Sequence, residues 1–219
     1  MPRPSVESWS QQYAHRRAVA ARFGGVFELP LAKRARDVLL SCVDDGQRVL
    51  EVGAGDRRMG DLLRGRNRDV TYASMDIDPR GDHDYTDLSD VDGVFDAIFA
   101  FEVVEHIPVG ELPGWLAELA SLLKPAGRLI LSTPNIYYPP AYLRDVTHCT
   151  PLCFDELGAL AQSAGLTVTD VRRIYNDPAH RIALRRYVFG WLFRLLGIDF
   201  ARQIVLVAEK PATAARIAA

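Results

Sequence analysis

Between Arg144 and Pro151 the chain reads RDVTHCTP, which sets a carboxylate, hydroxyls, a histidine and a thiol side by side, with a second thiol at Cys153. Three chemistries suit such a stretch. His148, Cys149 and Cys153 with Asp145 make a set of metal ligands. His148 alone makes a general base, because imidazole titrates near neutrality. Asp145 and Thr147 also close an ordinary turn by bonding back to the backbone. Structural zinc sites usually bring two spaced ligand pairs. Here Cys149 and Cys153 form one loose pair and Cys42 lies far off in a helical stretch, so no metal is expected from this set, while magnesium held by carboxylates stays an open alternative. Of the five histidines, His15, His83 and His180 fall on an N-terminal helix, a loop and a late insertion. His106, in EVVEHIP, is the second candidate base beside His148.

A different chemistry belongs to VLEVGAGDRRMG, from Val49 to Gly60. An apolar run ends in Gly53-Ala54-Gly55, and a helix-compatible stretch follows. Glycines let the backbone turn sharply and approach a ligand, and a helix start offers its N–H groups to an anion. About twenty residues on, the run Val70–Met75 ends at Asp76, placed to take the two hydroxyls of a ribose. Strand, glycine turn and distant acid suit a dinucleotide or S-adenosylmethionine. The dinucleotide fingerprint G-x-G-x-x-G needs a glycine where Arg58 stands, and an arginine there opposes a close approach to a pyrophosphate. S-adenosylmethionine is the better fit, and Glu51 ahead of the loop belongs to that pattern. For this loop taken alone, a glycine turn without a ligand is the bland alternative.

The elements that position these groups alternate along the chain. Pro4 to Val43 reads as helix with a break at Phe23–Pro30. Strands are expected at Gln47–Val52, Val70–Met75, Phe95–Phe101, Arg128–Ser132, Thr167–Ile174 and Gln203–Glu209, with helices at Asp56–Arg64, Leu112–Leu123 and Phe154–Ala164. Such alternation predicts a parallel sheet covered on both faces. His106 follows the fourth-strand segment and His148 the fifth. Both then lie outside the carboxyl ends of strands, where open α/β sheets bind ligands.

The motifs arrive in the order found in class I S-adenosylmethionine-dependent methyltransferases, which the chain resembles from about Gln47 to Pro211. VLEVGAGD resembles the first motif, with Glu51, Gly53, Ala54 and Gly55 in register; YASMDIDP resembles the second, with Asp76 as the ribose acid and Ile77 beside the adenine. DYTDLSD places Asp87 and Leu88 where the family contacts the adenine amino group. FDAIFAFEVVEHIP, with Phe101 in the cofactor set, looks like the fourth-strand motif of the small-molecule branch, and LLKPAGRLILSTPN like the helix-turn-strand after it. The resemblance implies a doubly wound, Rossmann-like seven-stranded sheet, mostly parallel with an antiparallel last strand. D-x-T-H before a helix is similar to methyltransferases of glycan and of lipid or quinone pathways, which makes RDVTHCTP an acceptor-side loop. Two departures stand out. Arg57 replaces the third glycine of G-x-G-x-G, a position that the resemblance implies lies near the carboxylate of the cofactor's methionine tail, which a guanidinium could satisfy, and KPAG replaces KPGG.

Composition bounds the rest. The 219 residues carry a formal net charge of −2 and 48% hydrophobic residues, ordinary for a globular chain, without the basic footprint of a nucleic-acid binder. Nor does an Asn/Asp-Pro-Pro-aromatic motif follow the fourth strand, as in nucleic-acid amino-methyltransferases. Three unpaired cysteines and no apolar leader lead to the expectation of a reduced, cytoplasmic protein. Residues 1–45 read as a helical extension, packing on the domain or closing over it as a lid through Trp9, Tyr13 and Arg17. Residues 46–219 read as the methyltransferase domain, with substrate-side insertions near 134–152 and 175–200. The arginine- and aromatic-rich span 180–200 reads as a pocket cap, a dimer contact or a peripheral membrane contact. The expected activity is methyl transfer to a hydroxyl of a small molecule: a sugar, lipid, quinone precursor or secondary metabolite. The alternatives are a non-catalytic cofactor-binding domain and an N-methyltransferase acting on a protein or small amine.

Overall fold

The computed structural model describes residues 6–65 and 69–212, with side chains from residue 10 onward. Seven strands form one sheet: β1 (Leu31–Ala32), β2 (Arg48–Val52), β3 (Thr71–Met75), β4 (Phe95–Phe101), β5 (Leu123–Pro134), β6 (Thr167–Ile174) and β7 (Gln203–Glu209). Their order is β1-β6-β7-β5-β4-β2-β3. β7 runs antiparallel to both β5 and β6, and the other pairings are parallel. Strand order reverses between β2 and β4, which puts the ligand crevice of such a sheet at the carboxyl ends of those two strands.

The seventh strand is β1. It is only two residues long and lies in the stretch expected to lead from one helix to the next, too short to show a period-two pattern. Helices α1 (Val6–Phe23) and α2 (Ala35–Cys42) flank it; α3 (Arg58–Arg64), α4 (Leu112–Ser121), α5 (Pro139–Leu143) and α6 (Phe154–Ser163) complete the crossovers to β6. α1 is fastened to α6. Arg16 donates to Asp155 at 2.6 Å and to Glu156 at 2.9 Å, and Val19 packs where a Cβ on Gly158 would stand 2.9 Å away. The side chain of Trp9, first in the expected stripe, lies outside the described residues.

Strand alternation divides the core into two layers. Leu50, Val52, Ile98, Leu129 and Leu131 face α1, α4 and α6; Val49, Phe99, Ile130 and Val205 face α2 and α3. Phe95 breaks the alternation, because the β4–β5 register shifts between Phe95 and Ala97 and turns its ring to the first layer. The extra residues of that bulge are Lys124–Gly127, in which Ala126 holds φ 61°. A side chain with a Cβ pays about 1–2 kcal/mol for that region. Ala126→Gly relieves the strain, partly offset by about 0.4–1 kcal/mol of extra unfolded-chain entropy. The expected result is a gain of about 0.5–1 kcal/mol, seen as a higher urea midpoint at unchanged m-value. Among the described residues no helix is long and apolar enough to cross a membrane.

Candidate active site

The turn after β2 is built by backbone bonds. Gly53 and Ala54 donate their N–H groups to the Met75 carbonyl at 2.9 and 3.1 Å, tying the end of β2 to the end of β3. Gly53 holds φ +73°, and a Cβ there would stand 2.4 Å from Cγ2 of Val103. Only glycine fits, because both the dihedral and the space demand it. Gly55 donates to Asp76 Oδ2 at 2.8 Å, and the other oxygen accepts from Asp78 N–H at 2.9 Å, so the acid is held at the tip of β3. Arg57 sits at φ 57° just before α3. That left-handed dihedral is why a glycine suits this position, and Arg57 adopts it while its guanidinium reaches the Asp82 carbonyl at 3.0 Å.

A cavity of about 620 Å³ opens at the β2–β4 switch point. Of the expected cofactor residues, Gly53, Asp76, Ile77, Asp87 and Leu88 line it. Ile77 is 83% exposed, a free apolar surface beside the acid. The Asp87 carboxylate caps a short turn by accepting from the amide and hydroxyl of Ser89, and the hydroxyl bond holds its pKa below the usual carboxylate range. Ala54 is buried and Gly55 exposed within the turn itself. Two expected residues point elsewhere. Phe101 packs with Phe99 in the α2–α3 layer, ring centroids 5.3 Å apart. Glu51 is buried with its carboxylate accepting from the Tyr72 hydroxyl, and burial pushes its pKa up to about 7 despite that bond. Trp115 and Glu118 of α4, outside the sequence expectation, form part of the cavity wall.

The two candidate bases meet. His106 lines the cavity, and His148 stands behind it with ring centroids 4.9 Å apart and planes at 69°. What joins them is the docking of RDVTHCTP onto the turn Val104–His106. Cys149 and Thr150 donate their N–H groups to the Glu105 carbonyl at 2.9 and 3.0 Å, and the Thr150 hydroxyl donates to the Ile107 carbonyl. The Thr147 hydroxyl gives its single proton to Asp145 at 2.6 Å and lies 3.0 Å from Nδ1 of His106. Nδ1 must then carry the proton, which leaves Nε2 of His106 as the lone pair. Thr147 and Asp145 therefore orient His106 rather than the adjacent His148. His148 donates from Nδ1 to the Tyr142 carbonyl at 2.8 Å, since a carbonyl only accepts. Its Nε2 lies 3.9 Å from Glu105 and 4.0 Å from Asp145.

Glu105 is the member of this cluster that the sequence does not single out. It is fully buried, and neither carboxylate oxygen has a hydrogen-bond partner among the described residues. Burial, and then the charge of Glu102, raise its pKa to about 8, against smaller opposing contributions from its own backbone N–H and the nearby Thr133 hydroxyl. Donor atoms of Glu105, His106 and His148 lie within 4.8 Å of one another, a spacing that also suits a divalent cation. The sequence signal was weak: an acid before a histidine in VVEH, with no apolar period to mark it as buried.

That carboxyl has a measurable consequence. From the ordinary 4.5 to about 8, the native protein keeps a proton on Glu105 that the unfolded chain has released. Its stabilisation is complete below 4.5 and lost as pH rises through 8, amounting to a few kcal/mol at order of magnitude. Glu51 acts in the same direction up to about 7. In a chelator, the urea midpoint is expected to fall from pH 5 to pH 8.5, and Glu105→Gln to lose the upper part of that fall. An unchanged slope between pH 7 and 8.5 in the variant would mean that Glu105 does not hold its proton.

Glycine turn, fixed acid and switch-point cavity define an α/β protein built to hold a nucleoside-bearing cofactor. The family follows from comparison: residues 22–171 match the family model described as a methyltransferase domain, and the chain belongs to that family. It is a class I S-adenosylmethionine-dependent methyltransferase resembling the quinone O-methyltransferases. A ubiquinone biosynthesis O-methyltransferase of Aeromonas salmonicida (strain A449) is 26% identical over 168 residues, covering 61% of this chain and 68% of the relative. One of the same description from Rhodopseudomonas palustris (strain BisB5) is 29% identical over 171 residues, covering 64% and 65%. The chain thus spans about two thirds of the length of these relatives. A solved S-adenosylmethionine-dependent methyltransferase from Archaeoglobus fulgidus superposes with a TM-score of 0.62 at 16% identity, over 94% of this chain and 100% of that one. A cyclopropane synthase from Mycobacterium tuberculosis gives 0.59 at 11% identity, over 80% and 82%. These likenesses show the fold, which serves more than one chemistry.

The residues present fit the cofactor. The backbone at Gly53 leaves no room for a Cβ, Asp76 is fixed at the cavity edge, and Ile77 offers an apolar face beside it.

Proposed function

We propose that this protein transfers a methyl group from S-adenosylmethionine to a hydroxyl of a small molecule, with an aromatic hydroxyl of a quinone precursor as the first acceptor class to test. The observation that carries the reading is His106, on the cavity wall with Nδ1 committed to Thr147 and Nε2 free to take a proton. S-adenosylmethionine supplies a methyl group made electrophilic by its sulfonium. The chain's part is to hold the acceptor oxygen about 3–3.5 Å from that methyl and in line with the breaking bond. A phenol releases its proton near pH 10, so a positioned base helps at neutral pH as the new bond forms. Asp76, Asp87 and the glycine turn hold the nucleoside; His106 takes the acceptor proton, with Asp145 and Thr147 keeping its ring in place. The names of the two ubiquinone-pathway relatives favour oxygen over nitrogen as the acceptor atom.

The test pairs calorimetry against S-adenosylmethionine and its demethylated product with transfer of labelled methyl to a panel of phenols, sugars and amines. Product on a phenol or other hydroxyl supports the reading. Transfer only to amines redirects it to N-methylation, and tight binding without transfer to any acceptor makes the chain a cofactor-binding domain.

A second reading of the cluster rests on the two orphaned oxygens of Glu105 beside His106 and His148. In it, the three side chains hold a divalent cation that would bind the acceptor oxygen and lower its pKa. Full turnover after exhaustive chelation would remove this reading and leave His106 as a base acting alone.

A further inference from the structure

Between β6 and β7 lies a segment that the cavity does not use. It comprises α7 (Ala179–Ala183), a wide helical turn at Leu184–Val188 and α8 (Gly190–Leu196). From Pro178 to Ile198 it holds Arg181, Arg185, Arg186 and Arg194 and no acidic residue, in a chain whose net charge is −2. The segment also holds a dense group of exposed apolar side chains, among them Leu184, Tyr187, Val188, Trp191, Leu195 and Leu196. Its three most exposed, Tyr187 at 77%, Trp191 at 66% and Leu195 at 73%, follow at four-residue spacing. Elsewhere among the described residues, exposed large apolar side chains are scattered, which is normal for a soluble surface.

The segment's other side is anchored. Arg185 pairs with the buried Asp177, Phe193 packs edge-on against the buried Phe200 at 5.5 Å, and Arg194 lies 3.4 Å from Glu28. A hollow of about 210 Å³ separates this side from Phe27–Leu31, and no residue of the segment lines the 620 Å³ cavity. The exposed apolar face is therefore held in place by contacts behind it. Arg181 and Arg186 are exposed and make no ion pair among the described residues; Arg186, which also lines that hollow, stacks over the exposed Tyr187 ring at 5.5 Å.

We propose that this face docks on an anionic lipid surface. Aliphatic and aromatic side chains enter the boundary between headgroups and acyl chains, tyrosine and tryptophan sit at headgroup level, and arginines meet lipid phosphates. Charge decides against a second copy of this chain. A two-fold contact sets the same patch against itself, and this one would oppose arginine to arginine with no acid from the segment between them. Charge alone would also suit a nucleic acid, but Leu184, Val188, Leu195 and Leu196 would meet nothing there that rewards their burial.

The full-length protein is tested by flotation with vesicles of phosphatidylcholine, with and without phosphatidylglycerol, at low and high salt. Flotation is expected with the anionic vesicles only and should weaken with salt. Arg181→Glu with Arg186→Glu, and separately Trp191→Ser with Leu195→Ser, should each weaken it at least about tenfold. S-adenosylmethionine affinity should stay at the wild-type value in both, so failure of the surface and failure of the cofactor site are told apart. Should a double variant not fold, brominated lipid in the anionic vesicles decides. It should quench the emission that Trp191→Phe removes, and unquenched emission overturns the proposal. Equal flotation by wild type and charge-reversed protein overturns it too. So does dimerisation in solution lost with Trp191→Ser, or retention on nucleic acid, when vesicles are not bound.

Discussion

Replacing Asp76 with alanine is expected to weaken S-adenosylmethionine binding about 100-fold or more. The carboxylate stands at the tip of β3, and its two oxygens already accept from Gly55 and Asp78, so its orientation is fixed before a ligand arrives. Ribose hydroxyls would add charge-assisted bonds, each worth about 1.5–3 kcal/mol when made to an ionised group. Two of them correspond to roughly two decades of affinity or more. Asp76→Asn keeps one acceptor and the shape of the turn, and should lose about tenfold. Calorimetry with the cofactor and with its demethylated product reads both variants. Binding of the alanine variant at wild-type strength would put the ribose somewhere other than Asp76.

The second large effect is expected at His106, the proposed base. His106→Ala should lower kcat about 10²–10⁴-fold, the range for a positioned acid–base group, with cofactor affinity changed far less. Thr147→Val removes the bond that keeps His106 in its tautomer and should lower kcat by about tenfold, acting through orientation. His148 is only 8% exposed at its side chain and lies behind His106, so His148→Ala should cost less than His106→Ala if the base acts alone. If Glu105, His106 and His148 together hold a divalent cation, the three alanine variants should fall by similar factors and added metal should partly restore them. Single-turnover methylation of an identified acceptor, with and without chelator, separates the two outcomes. A His106 variant within a few-fold of wild type in both conditions makes that residue structural.

Much of the fold is visible in local chemistry. The strand at Gln203–Glu209 is an apolar run, Ile204 to Ala208, between a polar and a charged residue, and the glycine turn announces itself because Gly53 must hold a dihedral and a close approach denied to other residues. β1 escaped because two residues carry no period, and they become a strand only by pairing with β6, some 140 positions away along the chain. By sequence the Ala126 segment resembles the turn of a helix-turn-strand, whereas its bulge and left-handed dihedral accompany the β4–β5 register shift.

The site divides in the same way. The lining of the candidate cofactor cavity was legible wherever position rests on backbone geometry or on an acid at the end of a strand, as at Gly53 and Asp76. It was not legible where a side chain chooses between faces: Glu51 turns to Tyr72, and Phe101 to Phe99. On the acceptor side, local pattern is enough to place two histidines beyond the carboxyl ends of neighbouring strands. Packing in three dimensions is what makes Thr147 serve His106 and leaves Glu105 sealed from water beside the two histidines. Those facts depend on a loop after β5 docking on the turn after β4, and a hydrogen bond across 41 residues follows from how two crossovers pack, which no local period records.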